Sequence, residues 1–546
     1  MGPTDSGFGS RGSRGGVLLT VLAGAALLVA PQLPAAVREG EVGAAFGIPV
    51  ESLIVLIALL VAVRPVARAV AAGAFAVVVV AAILLALLDL GFRATIDRPF
   101  NPVEDRGALI DAFGVMRTAL GPVTSGAVLL LVIALVIAAT AGIACAALRV
   151  GGAARAAGSR GRATLAILAG AWVVSSLTGA QLAPGAPVAA SGAGDTLMAT
   201  TERVASGLRE QQAFERALQS DPLDRVDPAR LLSALEGKDV IIAFVESYGR
   251  VAVEPAPFTD GIERVLADGQ ASLTRRGYAS QSAFLTSPTF GGVSWLAHAT
   301  LQSGLWVDSP ATYARLLARQ RMTLTGAFEA AGWRTMAVVP SNERAWPAGE
   351  AFYGFDTSLD STNMGYRGPS FGYARMPDQY TWQVFHDRAE LSGTRPLMTE
   401  IDLVSSHTPW TPLPRMLPWA ELGDGSVFGP QATRGESPMA GWTDAQRARE
   451  LYGRSVEYSL SAIFSYVETY GDDDLVLIVL GDHQPARIVS GADAAHDVPV
   501  SIIAKDPAVF AAIESWGWED GVHPTSAAPV WRMDSFRDRF VDAFSG

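Results

Sequence analysis

Two stretches decide the architecture: Asp239-Val-Ile-Ile-Ala-Phe-Val-Glu246-Ser-Tyr248 and Asp474-Leu-Val-Leu-Ile-Val-Leu-Gly481-Asp482-His483. Each is an apolar run of strand length that stops at metal-ligand side chains. A run that is apolar at every position, not at alternate ones, marks a strand buried on both faces, as in a parallel sheet. Parallel α/β sheets gather their chemistry at the carboxyl ends of the strands. Glu246, Asp482 and His483 are therefore predicted to meet at one sheet edge, although they are distant in sequence. Two carboxylates and an imidazole suit Zn²⁺ or Mn²⁺. Mg²⁺ and Ca²⁺ are the harder alternatives.

Outward from these runs, strand-like and helix-like segments alternate. Strands are predicted at 239–246, 333–340, 397–404, 474–481 and 498–504. Helices are predicted at 260–275, 294–303, 311–331, 378–391, 443–470 and 507–516. That order predicts an α/β sandwich with a largely parallel central sheet over 237–546. Residues 186–236 read as a joining region. Its Pro-, Gly-, Ala- and Ser-rich start, 184–196, is expected to be flexible, and 197–236 to form amphipathic helices.

Residues 1–185 differ sharply in composition, being rich in Ala, Val, Leu and Gly. Apolar stretches at 17–37, 47–63, 69–88, 123–148 and 163–183 predict an anchor of about five transmembrane helices. Four are long enough for a ~30 Å hydrocarbon core. The stretch at 47–63 is interrupted by Glu51, and an interfacial or re-entrant helix is its alternative. Arg11 and Arg14 precede the first stretch, Arg64 and Arg68 follow the second, and Arg149, Arg155, Arg160 and Arg162 follow the fourth. Basic loops stay in the cytoplasm. Five spans then put the C-terminal domain outside, at the plasma membrane. The first stretch also has the marks of a cleaved signal peptide, which leaves the domain on the same side.

Bulk properties exclude several classes. A net charge of -12 argues against general nucleic-acid binding. The single cysteine, Cys145, lies in an apolar stretch, so there is no disulfide framework and no thiolate metal site. Ionisable residues are nearly absent from the apolar stretches, which argues against a transporter. All six histidines lie in the C-terminal part.

A third motif is Ser287-Pro-Thr-Phe-Gly-Gly-Val-Ser294-Trp-Leu-Ala-His298. A Gly-Gly turn opens a predicted helix and puts Ser294 at its N-terminus, where backbone N–H groups and the helix dipole favour an anion. A serine there can act as a metal-activated nucleophile. His298, four residues on, shares its helix face and reads as a supporting residue. His407 follows a predicted strand, and His496 precedes another.

Together these motifs resemble the alkaline phosphatase/sulfatase superfamily, in its membrane-anchored branch of lipoteichoic acid synthases and phosphoethanolamine transferases. The resemblance covers the anchor and residues from about 238 to 516. It implies that Glu246, Ser294, Asp482 and His483 ligate one divalent metal. It implies further that His407 and His496 hold the substrate phosphate or a second metal, and that Trp346 and Asp378 contact substrate. The implied activity moves a phospho-alcohol group from a lipid donor to an envelope glycan through a phospho-serine. The implied partners are lipid-linked or envelope glycan substrate and the bilayer. A phosphodiesterase or sulfuric-ester hydrolase and an inactive membrane scaffold are the rival readings. Relatives usually carry Thr where Ser294 stands, with Thr289 and Thr300 as fallbacks here. No formylglycine motif surrounds Ser294, which argues against sulfatase chemistry by that route.

Overall fold

The computed structural model describes residues 11–40, 46–107, 121–183, 185–344, 346–391, 395–435 and 444–546, with isolated positions between 108 and 120. They form two compact units. One runs up to Arg93 and includes Arg98–Arg209; the other joins Ala94–Asp97 to Glu210–Gly546.

The first unit is helical: α1 (Arg11–Val29), α2 (Val50–Val61), α3 (Pro65–Ile96), α4 (Pro122–Ala156), α5 (Ser159–Thr178) and the start of α6 (Gly192–Ala217). Four apolar helices, Gly15–Arg38, Pro65–Ile96, Pro122–Ala156 and Ser159–Thr178, are long enough to cross a membrane. The predicted span at 47–63 is represented by α2, whose 12 residues rise only about 18 Å. It is capped at Ala62, whose backbone is extended, three residues before Pro65. Arg149 ties the end of α4 to the start of α1, its guanidinium donating to Gly16 O at 2.7 Å and Thr20 Oγ1 at 3.1 Å.

Within the stretch expected to be flexible, residues 185–196 take up regular structure. Ile48–Pro49 pairs in parallel with Ala189–Ala190, and α6 begins at Gly192. Its first amides are satisfied by side chains: Gly192 N–H donates to Gln32 Oε1 at 3.2 Å and Gly194 N–H to Glu51 Oε1 at 2.8 Å. Those contacts supply what a free helix start lacks.

The second unit is built on a nine-stranded sheet. Its main strands are β1 (Asp239–Val245), β2 (Ala279–Thr286), β3 (Arg334–Val339), β4 (Thr357–Asp360), β5 (Leu397–Leu403), β6 (Leu475–Gly481) and β7 (Asp497–Ala504). The spatial order is β2-β7-β6-β1-β5-β3-β4, with Glu519–Asp520 and Val530–Arg532 against β2. Strands β6, β1, β5, β3 and β4 run parallel, and β7 runs antiparallel between β6 and β2. The five predicted strands are present. β2, β4 and the two short strands Glu519–Asp520 and Val530–Arg532 complete the sheet beyond them.

The continuous apolar runs have the expected cause. Val240, Ile242 and Phe244 enter one core cluster, while Ile241, Ala243 and Val245 enter the other. Successive side chains point to opposite faces, so a strand with helices on both sides buries every residue. The predicted helix 311–331 is two, Pro310–Leu317 and Leu324–Ala330, because Thr323 caps the second through Gly326 N–H.

Candidate active site

Strand register brings Glu246, Asp482 and His483 together. β6 and β1 are parallel neighbours, with Gly481 opposite Val245. Glu246 and Asp482 therefore leave adjacent strands at the same level, about 4.8 Å apart in backbone terms. Ser247, next to Glu246, has a left-handed backbone (φ 56°). That kink turns its N–H onto Asp482 Oδ1 at 2.7 Å, and His483 N–H donates to the same oxygen at 2.7 Å. Asp482 Oδ2 is left facing the site.

Helix α7 (Ser294–Ser303) supplies the hydroxyl. Val293, just before it, is also left-handed (φ 59°), a costly conformation for a β-branched residue. Ser294 Oγ lies 3.0 Å from Glu246 Oε2 and 3.2 Å from His483 Nε2. His483 Nε2 is 3.4 Å from Glu246 Oε1 and 3.5 Å from Asp482 Oδ2. Its Nδ1 donates to Gln484 O at 2.8 Å, which fixes the tautomer and leaves a lone pair on Nε2. Atoms bound to one ion at ~2.0–2.2 Å are ~3.0–3.5 Å from each other. These four donors fit one Zn²⁺- or Mn²⁺-sized ion on that test. Glu246, Asp482 and His483 are all buried.

Electrostatics points the same way. Burial pushes the Asp482 carboxyl up, and the Glu246 charge beside it adds to the rise. Burial also opposes the Glu246 charge, but the His407 and His483 imidazoles hold that carboxyl below its ordinary range. Such a buried carboxylate pair carries both charges together only beside a cation.

The cluster opens on a cavity of about 950 Å³. Ser294, His298, His407 and Trp346 all line it. His407 stacks on Tyr373 at 3.7 Å and donates Nδ1–H to Thr408 O at 2.6 Å. Trp346 continues an aromatic wall, with Tyr313 between it and Trp295.

Two predicted contacts lie elsewhere. Asp378 is wholly buried and absent from the cavity lining. Its carboxylate accepts from Ser405 N–H at 2.9 Å and Ser459 Oγ at 2.6 Å, so it braces the loop that carries His407. Burial lifts its carboxyl to about 6, against those hydrogen bonds. His496 also lies outside the lining. Its Nε2 is 3.5 Å from Asp97 Oδ2, and its ring packs near Phe290. The fallback hydroxyls are buried and bonded locally, Thr289 to Ser287 and Thr300 to Leu296 O.

Sequence reasoning passed over Glu400 and Asp402. Both are on β5, both line the cavity, and both face His298. Acids at i and i+2 share one strand face, and such a pair inside an apolar strand was the available signal.

No family model matches the chain, and no curated protein matches it. Solved structures are similar to it. The integral membrane lipooligosaccharide phosphoethanolamine transferase A from Neisseria meningitidis is 12% identical, covering 97% of this chain and 95% of its own, with a TM-score of 0.45. The lipoteichoic acid synthase LtaP from Listeria monocytogenes is 14% identical over 59% of this chain and 76% of its own, with a TM-score of 0.38. The periplasmic domain of an Escherichia coli phosphoethanolamine transferase, in complex with Zn, is 11% identical over 57% and 83%, with a TM-score of 0.38.

Proposed function

We propose that this chain is a membrane-bound, metal-dependent phosphotransferase. It moves a phospho-alcohol group, of the glycerol phosphate or ethanolamine phosphate kind, from a lipid to an envelope acceptor. The observation that carries the reading is a metal-ligand cluster built around a hydroxyl, Ser294 Oγ, that opens on a large cavity. A divalent ion held by Glu246, Ser294, Asp482 and His483 would lower the serine pKa and stabilise charge on the phosphoryl oxygens.

In the first half-reaction Ser294 Oγ bonds to phosphorus. The bond from phosphorus to the lipid alcohol breaks, and the serine proton ends on that alcohol. In the second, an acceptor hydroxyl bonds to phosphorus, the Ser294 ester breaks, and the acceptor proton returns to Ser294. His407 suits this proton traffic: with Nδ1–H committed to Thr408 O, the neutral ring keeps an Nε2 lone pair. Trp346 offers an apolar face to the substrate.

Parity supports the proposed side of the membrane. Ile48–Pro49 and Ala189–Ala190 are paired and so share one face. The long helices α3, α4 and α5 lie between them, which supports a crossing by α2 as well. Extended residues at both its ends, Pro49 and Ala62 among them, lengthen its short path. With α1 the crossings number five, and the basic N-terminus keeps the catalytic unit outside.

Purified full-length chain in detergent should release diacylglycerol from phosphatidylglycerol or phosphatidylethanolamine. Chelation should stop the release, and Mn²⁺ or Zn²⁺ should restore it. Release that ignores added glycan acceptor would make the enzyme a hydrolase. No release from either lipid with either metal would contradict the reading.

A further inference from the structure

We propose that His298, Glu400 and Asp402 hold a second divalent cation, beside the first and distinct from it. This rests on the phosphotransferase reading only for its purpose; the ligand geometry stands alone. His298 Nδ1 lies 3.0 Å from Glu400 Oε1 and 3.5 Å from Asp402 Oδ1. These are again the ~3.0–3.5 Å separations of donors around one ion. One Nδ1–H cannot satisfy two carboxylates. Asp402 Oδ1 is a buried atom with no hydrogen-bond partner.

The surroundings hold these donors in place as a metal site requires. Phe244 stacks on the His298 ring at 3.8 Å. Gln302 Nε2 donates to Glu400 Oε2 at 2.6 Å. Gln302 is itself oriented by Thr325, whose N–H and Oγ1 donate to its Oε1 at 3.0 and 3.1 Å. Fixed outer hydrogen bonds of this kind tune and orient ligands. An imidazole with two carboxylates selects Mn²⁺ or Zn²⁺.

Charge supplies the reason for a second ion. Glu246, Asp482, Glu400 and Asp402 all line the cavity, where Arg344 is the only Lys or Arg among the described lining residues. One divalent ion balances two of those carboxylates, and a phosphodiester then brings a further negative charge. A second ion at the other two offsets their charge, in a cavity that Glu343, Glu350 and Asp360 also line. His298 is one helical turn from Ser294, so their Cβ atoms are about 6 Å apart. The second cation is thus a neighbour that sets the field, not a clamp on the same oxygen. His496, expected with His407 to hold the substrate phosphate or a second metal, lies outside this cavity.

The test counts metal by mass spectrometry in full-length protein loaded with Mn²⁺ or Zn²⁺ and desalted. Wild type should hold two ions, and Asp402→Asn or Glu400→Gln one. Glu246→Gln should also hold one, and Glu246→Gln with Asp402→Asn none. One ion in both wild type and Asp402→Asn would overturn the second site while leaving the first. Two ions in Glu246→Gln would instead overturn the first. Because a bound ion stabilises the folded state, Mn²⁺ should raise the melting temperature of wild type more than that of Asp402→Asn. Equal melting in chelator shows that the variant folds, and equal gains with Mn²⁺ would overturn the inference.

Discussion

Two clusters of carboxylate and imidazole face one cavity, and they are built differently. Glu246, Asp482 and His483 sit just past the ends of β1 and β6, where the backbone is free to kink. Glu400 and Asp402 sit inside β5, still in register with β1 and β3. Only the first cluster contains a hydroxyl. Its four donors can activate a nucleophile, whereas the three donors at His298 offer charge alone. Chemistry is concentrated at strand ends because a loop start can re-aim a side chain, while a strand interior fixes it.

The largest effects should fall on the first cluster. Glu246→Gln, Asp482→Asn or His483→Gln should each remove one ion and lower turnover by roughly 10³-fold or more. Turnover within about tenfold of wild type in any of them would erase the distinction between the clusters. His407→Ala comes next. It should lower kcat about 10²- to 10⁴-fold, the range of a proton-transfer group, with metal content unchanged. Loss of an ion from that variant would move His407 into a metal site.

Trp346→Ala should mainly raise KM, by about tenfold, or ~1.4 kcal/mol. A fall in kcat alone would instead place the ring at the reacting centre. Asp378→Asn has the smallest expected effect on activity but a distinct pH signature. The Asp378 carboxyl is lifted to about 6 by burial, above the ordinary 3.8. A carboxyl raised in the folded state stabilises the fold while protonated, and that contribution is lost as pH climbs through 6. Between pH 4 and 7, wild type should lose up to about 3 kcal/mol relative to Asp378→Asn. Parallel stability curves for the two proteins would contradict this.

What the sequence made legible follows the same contrast. Apolar runs that end abruptly in carboxylate and imidazole side chains announced β1, β6 and their convergence. The Gly-Gly turn before Ser294 did the same for the hydroxyl proposed as nucleophile. Glu400 and Asp402 stayed hidden because β5 reads as an ordinary core strand, and their partner His298 lies on a distant helix. β2 stayed hidden because Ser280, Gln281 and Ser282 break its apolar pattern, although Ser280 and Ser282 are buried. Asp378 looked exposed to substrate because burial of a carboxylate depends on tertiary partners, here Ser405 and Ser459. For His496, the resemblance implied a contact with substrate phosphate or a second metal, but the intervening loop carries it to Asp97.

The central claim is that Ser294 takes the phospho-group covalently. Intact mass of full-length protein, given lipid donor and metal but no glycan acceptor, tests it most directly. The account predicts an added phospho-alcohol mass that maps to Ser294 and vanishes in Ser294→Ala, which still binds metal. Ser294→Thr should keep part of the adduct. An adduct on Thr289 or Thr300, or wild-type turnover in Ser294→Ala, would contradict it.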